Sequence, residues 1–493
     1  MSRNRVMLCL GFTVLAALGL AVAATRAHSS SSGFVAGFDD DLAKRAGTQA
    51  TDPMRRLGAQ AERLTLQWAP GETALTSTDA AALDRAVAAS SGLRVVLSVY
   101  GTSPSAAPTT PAAQGQYCAY VASVLRRYSA IRTVIVWNEP NKSQFWSPQL
   151  PAGTTPAAPV AYEALLATCY DALHRSFPGV DVLGFALAHN GSDNSGSTSP
   201  GAFIRAVGAA YKASGRTARI FDTVAYHPYP LTSGERPWLR HVGSTVIGEG
   251  DWNKLMYNLW LAFDGTAQPL PGQSGVSIWY TEWGVQSAVP ASKSSLYSGT
   301  ENVAVLPAWN GGEPDSPPPA ATSTAPDQGT QVLDAIRLAA CQPYVGAFFN
   351  FLVADEPTLA GWQSGPLYVD RTPKPSYPAF QQAIAAATSG SVDCAALKGG
   401  APSADYMPPS TIIGLSGSVA GSPPVVTLRW QPASDNASAV SYRVYRGGAL
   451  VATTAATTWS GSQTSGTSAT YAVRAIDAAG NLGSASSVVT ITA

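Results

Sequence analysis

Val134-Ile135-Val136-Trp137-Asn138-Glu139-Pro140-Asn141 is an unbroken apolar run that stops abruptly in Asn-Glu-Pro. Val276-Ser277-Ile278-Trp279-Tyr280-Thr281-Glu282-Trp283-Gly284 has the same plan, with a glutamate at its end. Short apolar runs of this kind fit strands covered on both faces, as in parallel sheets. Working outward, similar runs occur at Phe34–Phe38, Ala61–Trp68, Arg94–Tyr100, Thr133–Trp137, Asp181–Phe185, Thr223–Tyr226, Val276–Tyr280 and Gly346–Phe351. Between them lie segments with apolar residues at helical spacing: Asp79–Ser90, Tyr117–Tyr128, Tyr162–Phe177 and Gln328–Cys341. Eightfold strand–helix alternation predicts a closed (β/α)8 TIM barrel of the α/β class over residues 33–397. An open doubly wound sheet is the alternative, weakened because no Gly-rich phosphate turn follows the first strand.

At 493 residues the chain is too long for one core. After Cys394 the composition turns to Gly, Pro and Ser, which reads as a linker over 398–410. Residues 411–493 alternate polar and apolar, as in Val425–Trp430, Ser441–Arg446 and Tyr471–Ile476. This stretch resembles a fibronectin type III module, a small all-β sandwich, with Trp430 and Tyr471 at its core and tyrosine positions.

Lys and Arg total 31, as do Asp and Glu, so the formal charge is zero. Nucleic acid and anionic membranes, which demand a concentrated basic surface, are disfavoured partners. Arg3 and Arg5 precede an apolar run, Val6–Ala23, that closes in the small residues Ala21-Val22-Ala23. This predicts a signal peptide over 1–27 and a secreted, extracellular protein; an uncleaved anchor would keep it at the cell surface. Cys9 would leave with the signal. Of the three pairings open to the remaining four cysteines, the sequence-local one is expected: Cys118 with Cys169 and Cys341 with Cys394. Free buried thiols are the alternative.

Two insertions interrupt the alternation. One follows Thr232 and contains Trp238, Trp252 and Trp260; the other, Ser287–Pro326, includes Pro317-Pro318-Pro319. Both are expected as loops on the face where barrel active sites lie, shaping a substrate cleft.

A carboxylate at the end of a fully apolar strand is costly to bury unpaired. Glu139 and Glu282, after the fourth and seventh strands, would face each other across the barrel mouth. Paired carboxylates there suit glycosidic cleavage: one protonates the leaving oxygen and the other attacks the anomeric carbon. Taken singly, Asn-Glu-Pro also reads as a strand-ending turn, Arg63 as a barrel ion-pair partner and His227 as a satisfied strand-end histidine. No H-E-x-x-H pair and no G-x-S-x-G elbow occurs, so neither a metal, a cofactor nor a serine nucleophile is expected.

Asn-Glu-Pro after strand four, the Glu after strand seven, Arg63 on strand two and His227-Pro228-Tyr229 after strand six resemble clan A retaining glycoside hydrolases, family 39-like or family 5-like. The resemblance implies Glu139 as acid/base and Glu282 as nucleophile. It implies Asn138 on the sugar hydroxyl beside the reacting carbon, Arg63 and Tyr229 orienting the nucleophile, and His227 lining the same subsite. Many members carry a Trp after strand eight as a sugar platform; here the chain reads Phe348-Phe349-Asn350-Phe351. Phe351, Trp362 or Trp283 is the expected substitute. The function expected is hydrolysis of an extracellular poly- or oligosaccharide by double displacement. A non-catalytic carbohydrate-binding or adhesion protein on the same scaffold, and a transglycosylase, are the alternatives.

Overall fold

A computed structural model describes residues 33–149, 157–308 and 326–493. The expected signal segment, the Ser29–Ser32 tract and Pro317-Pro318-Pro319 lie outside the described residues. Eight parallel strands close into a barrel in chain order: β1 (Val35–Asp39), β2 (Ala61–Trp68), β3 (Arg94–Gly101), β4 (Thr133–Val136), β5 (Asp181–Ala188), β6 (Thr223–His227), β7 (Ile278–Trp283) and β8 (Val345–Phe351). The last pairs with the first, Gly37 against Phe349.

Helices cover the outside: α1 (Leu42–Ala46), α2 (Thr48–Arg56), α3 (Ser77–Ala89), α4 (Pro111–Arg127), α5 (Ala157–Ser176), α6 (Pro200–Ala213), α7 (Trp252–Phe263), α8 (Gln328–Cys341) and α9 (Tyr377–Thr388). Their starts are written locally. Thr76 accepts from Asp79 N at 3.1 Å to cap α3, and Asp327 accepts from Thr330 N at 2.8 Å to cap α8. Disulfides join Cys118 on α4 to Cys169 on α5, and Cys341 at the end of α8 to Cys394 beyond α9, the local pairing expected. No helix among the described residues is long and apolar enough to cross a membrane.

Strand periodicity divides the barrel into an apolar floor and a polar mouth. Ala61, Val96, Ile135, Leu183, Ala225, Trp279 and Phe349 fill the interior as a core separate from the helix-facing one. Gly37 belongs to this layer because a Cβ there would lie 2.6 Å from the Phe349 ring. One period of two further along β1, β2, β3 and β6 stand Asp39, Arg63, Ser98 and His227. Alternation thus stacks a charged layer directly on an apolar one.

Two antiparallel sheets follow the barrel: β13-β10-β9 and β12-β11-β14-β15, built from β9 (Ser416–Ala420), β10 (Val425–Arg429), β11 (Ser441–Arg446), β12 (Ala449–Thr454), β13 (Thr458–Ser462), β14 (Ser468–Ile476) and β15 (Val489–Thr492). They share their own core, in which Trp430, Tyr442, Val444, Tyr471 and Val473 are buried. The Tyr471 hydroxyl donates to Gln463 Oε1 at 2.8 Å, whereas the tyrosine of a fibronectin-like corner bonds backbone.

Candidate active site

The mouth of the barrel is organised around one guanidinium. Arg63 projects inward from β2, and burial, which opposes its charge, is outweighed by Asp39 and Glu282 beside it. Nη1 donates to Glu282 Oε1 at 2.6 Å and to Asp39 Oδ2; Nη2 donates to Asn138 Oδ1 at 2.7 Å and Ser98 Oγ at 3.0 Å. One cation therefore serves two buried carboxylates, which cannot both be charged cheaply. Asp39 loses: burial pushes its carboxyl well above the usual range, and Glu282 adds to the rise against the pull of Arg63. Glu282 wins. Burial works against its charge, but His227 and Arg63, with hydrogen bonds from Arg63 and Tyr229, hold it below the ordinary value.

Glu282 owes its direction to an irregularity in β7. Trp279 faces the barrel interior and Tyr280 faces outward, its hydroxyl donating to Gln342 Oε1 at 2.5 Å. Strict alternation would turn Glu282 outward too. The register shifts between Tyr280 and Trp283, and after the shift Glu282 faces the mouth. The same shift turns Trp283 outward, where it is wholly buried, 5.5 Å from Phe348 in the helix-facing core. The expected role of Trp283 as a sugar-contacting residue is therefore corrected: no face of it is open to a ligand.

Glu139 is presented by a strained segment. Trp137 and Glu139 have φ of 71° and 39°, a left-handed conformation costing about 1–2 kcal/mol at each residue. Trp137 consequently leaves the barrel axis and packs at 5.2 Å from Trp146 among helix-facing residues, while Asn138 and Glu139 turn to the mouth. The segment is held to β5 by Glu139 N donating to Ala186 O at 2.9 Å. Buried Asn141 donates to Ala188 O and Thr198 O, both at 3.1 Å.

His227, fully buried at the end of β6, joins the two glutamates: Nδ1 lies 3.0 Å from Glu139 Oε1 and 3.5 Å from Glu282 Oε2. Tyr229 donates to Glu282 Oε2 at 3.2 Å. Glu139, His227 and Glu282 each bring an atom within 4.8 Å of the others. Three such ligands could in principle hold a metal ion, but the Arg63 guanidinium already places a positive charge 2.6 Å from Glu282, which disfavours a second cation. A second carboxylate convergence, Asp405, Asp435 and Asp477, lies at the C-terminal sheets.

The cleft has two lobes that share Glu282, Phe145 and Phe351. The larger, about 750 Å³, is lined by Asp39, Arg63, Tyr100, Asn138 and Arg371. The other, about 670 Å³, carries Glu139, Lys142, His189, Ser233 and Trp362. Burial, helped by Lys142 and two other histidines, pushes His189 down to about 3, so it is neutral at ordinary pH. Trp362 supplies the aromatic wall, 5.4 Å from Tyr229 and 5.3 Å from Phe351.

Asp39, Ser98, Lys142 and His189 were not expected from the sequence. Asp39 carries the signal used for the glutamates, an acid ending an apolar strand, and could have been found by it. The insertion after Thr232 reaches the cleft only through its first residue, Ser233, beside Leu231 and Thr232. Its tryptophans do not. Trp238 lies over the Gly399 region, and Trp252 and Trp260 belong to α7, with Trp252 buried near Tyr344.

No protein-family model matches the chain. Among curated proteins it is 41% identical over 95 residues to Chitinase D of Niallia circulans, covering 19% of this chain and 18% of that one. Chitinase Chi52 of Paenibacillus xylanexedens is 38% identical over 95 residues, with the same coverage. Both matches fall at the C-terminal end, and the chain spans about a fifth of the length of these relatives. Among solved structures, a glucosidase from Croceicoccus marinus matches with a TM-score of 0.47 at 11% identity, covering 94% of this chain and 96% of that one. An exo-β-1,4-mannosidase from Opitutaceae bacterium strain TAV5 has a TM-score of 0.45 at 13% identity, covering 78% and 64%. With TM-scores below one half, neither bears on the chemistry of the mouth.

Proposed function

We propose that this chain is an extracellular retaining glycoside hydrolase of the clan A type, acting on a poly- or oligosaccharide. One observation carries the reading: an oxygen of Glu139 and an oxygen of Glu282 approach within 4.8 Å over an open cleft. Retaining glycosidases hold their carboxyl groups about 5–5.5 Å apart, too close for an attacking water to fit between nucleophile and sugar. Glu282, kept ionised by Arg63 and Tyr229, attacks the anomeric carbon and forms a glycosyl-enzyme. Glu139 gives its proton to the leaving oxygen, then takes one from the water that releases the sugar. The reacting ring lies in the Asn138 lobe, where the Asn138 amide, tethered by Arg63, meets the neighbouring hydroxyl. The leaving group lies in the Glu139 lobe beside Lys142 and Trp362. The fibronectin-like module is an accessory domain, with domain limits as read from the sequence.

The test is a panel of activated 2-deoxy-2-fluoro β-glycosides of several sugar configurations. The expected result is a covalent mass increment on Glu282 that is absent in Glu282→Gln, with the fold of the variant retained by circular dichroism. Glu139→Ala should be rescued by azide on aryl glycosides. Full turnover by Glu282→Gln on any glycoside would sink the assignment.

A further inference from the structure

A second concavity lies away from the mouth, between the barrel and the C-terminal sheets, and shares no residue with either lobe of the cleft. Its volume is about 310 Å³, and Arg240, Lys254, Tyr257, Tyr406, Arg474 and Asn481 are among its walls. Barrel, linker and sheets each contribute. The contact that creates it is specific: Arg240 Nη1 and Asn253 Nδ2, the latter at 2.9 Å, both donate to the carbonyl of Ala479 in the turn after β14.

The charges here are arranged unlike those at the mouth. Neither Arg240 nor Arg474 makes an ion pair among the described residues; Arg474 Nε spends itself on Gly483 O at 2.8 Å. Lys254 donates to the carbonyls of His241 and Val246 at 2.8 and 2.6 Å, with Asp251 3.3 Å away. Burial lowers the pKa of all three cations and Arg443 adds repulsion to both arginines, while Asp251 and Asp477 offset part of the penalty at Arg240 and Asp251 part of that at Lys254. Positive charge that burial penalises and no carboxylate fully offsets is favourable ground for an anion. Two half-buried tyrosines stand beside it, and Tyr257 is stacked on Trp260 at 6.1 Å with a 13° interplanar angle. Flat aromatic faces accept the C–H face of a sugar ring, and guanidinium forks accept a carboxylate in bidentate fashion.

We infer that this crevice is a second saccharide site, one that takes an acidic sugar through its carboxylate. A uronate ring would lie against Tyr257 or Tyr406 with its carboxylate on Arg474 and Arg240. Asn481, whose amide pins the linker by donating to Asp405 O at 3.0 Å, closes one side. The inference does not depend on hydrolysis at the mouth. A protein whose cleft is inert would keep the site.

The experiment uses the full chain carrying Glu282→Gln, titrated at low salt with tetragalacturonate, with cellotetraose and with sodium sulfate. Hydrogen exchange of residues 240–257 and 474–482 locates the binding. Tetragalacturonate should protect both segments, and its affinity should fall on the order of ten-fold in Arg474→Ala and less in Arg474→Lys, which keeps charge but loses the fork. Tyr257→Ala should weaken it several-fold. Cellotetraose should leave both segments unprotected. Unchanged affinity in Arg474→Ala and Tyr257→Ala, protection confined to the mouth, or sulfate displacing tetragalacturonate at equal concentration would overturn the proposal. Thermal melts of each variant check that the fold is intact.

Discussion

Arginines organise both the barrel mouth and the interdomain crevice, and they do so in opposite ways. Arg63 is enclosed and shared among Asp39, Glu282, Asn138 and Ser98, so its charge is fully committed inside the protein. Arg240 and Arg474 are half-exposed and bond main-chain carbonyls, leaving charge to spare. A committed arginine fixes the ionisation of its neighbours and can support chemistry. An uncommitted one can only attract. On the proposed readings the contrast separates a preorganised reaction centre from a binding surface, and it can be attacked experimentally from both sides.

The largest effect is expected from Arg63→Met. It strands two buried carboxylates, so stability should fall by about 3–5 kcal/mol in urea denaturation. Turnover of an aryl glycoside should drop by roughly three orders of magnitude. A variant that keeps near-full stability and turnover would show that the shared guanidinium is ornamental.

Next comes Glu62, adjacent to Arg63 on β2, which is fully buried with Ser90 donating to Oε1 and Oε2 left without a partner. Burial, with Asp40 adding and Arg55 opposing, raises it from 4.5 to about 8. The folded state thus holds this proton more tightly than the unfolded chain. Its stabilising contribution is complete below pH 4.5 and is lost as pH rises through about 8. Glu62→Gln should flatten this slope, leaving the variant more stable than the parent at pH 9 by on the order of 2–4 kcal/mol. Parallel stability–pH curves for the two proteins would contradict it.

Asp39→Asn sharpens the comparison further. Asp39 already holds its proton where Glu282 titrates, so the amide should leave the acidic limb of the kcat/KM profile in place. A limb that moves down by about one pH unit would mean that Asp39 is charged and competes for the cation during turnover. The smallest change in stability belongs to Arg240→Ala. It removes one hydrogen bond to the Ala479 carbonyl, costing about 1 kcal/mol of stability with kcat unchanged. A loss of turnover comparable to that of Arg63→Met would erase the distinction between the two regions.

Much of this was legible in the sequence, for physical reasons. Apolar runs ended by turn residues marked the strands so clearly that β2 runs from Ala61 to Trp68 and α8 from Gln328 to Cys341, as read. The two glutamates stood out because an acid after such a run is expensive to bury, and the structure brings them together with Arg63, His227 and Tyr229. Trp283 misled because its surroundings are decided by an extra residue in β7, and nothing in Tyr-Thr-Glu-Trp announces it. Trp252 and Trp260 differ for another reason: the chain after Asp251 carries helical spacing, Leu255, Leu259 and Phe263, and forms α7 inside the insertion. Asp39 ends β1 much as Glu139 follows β4, so the same signal is written there. Lys142 and His189 had no local signal, since only the closed barrel sets their loops side by side.

The cleft rim has one further property. Lys374, fully buried, donates to Ser287 Oγ and Gln363 O at 2.9 Å each and lies 2.6 Å from Asp355 Oδ1, while Tyr297 holds the other Asp355 oxygen at 2.8 Å. Ser287 and Tyr297 follow β7; Asp355, Gln363 and Lys374 follow β8. The ion pair stiffens the excursion after β8 from within, and Ser287 and Tyr297 fasten the excursion after β7 to it, so parting the two would leave a buried pair short of hydrogen bonds. Ser233 joins the same assembly by accepting from Gln286 N at 3.0 Å, so three loops of the rim are cross-linked into one wall.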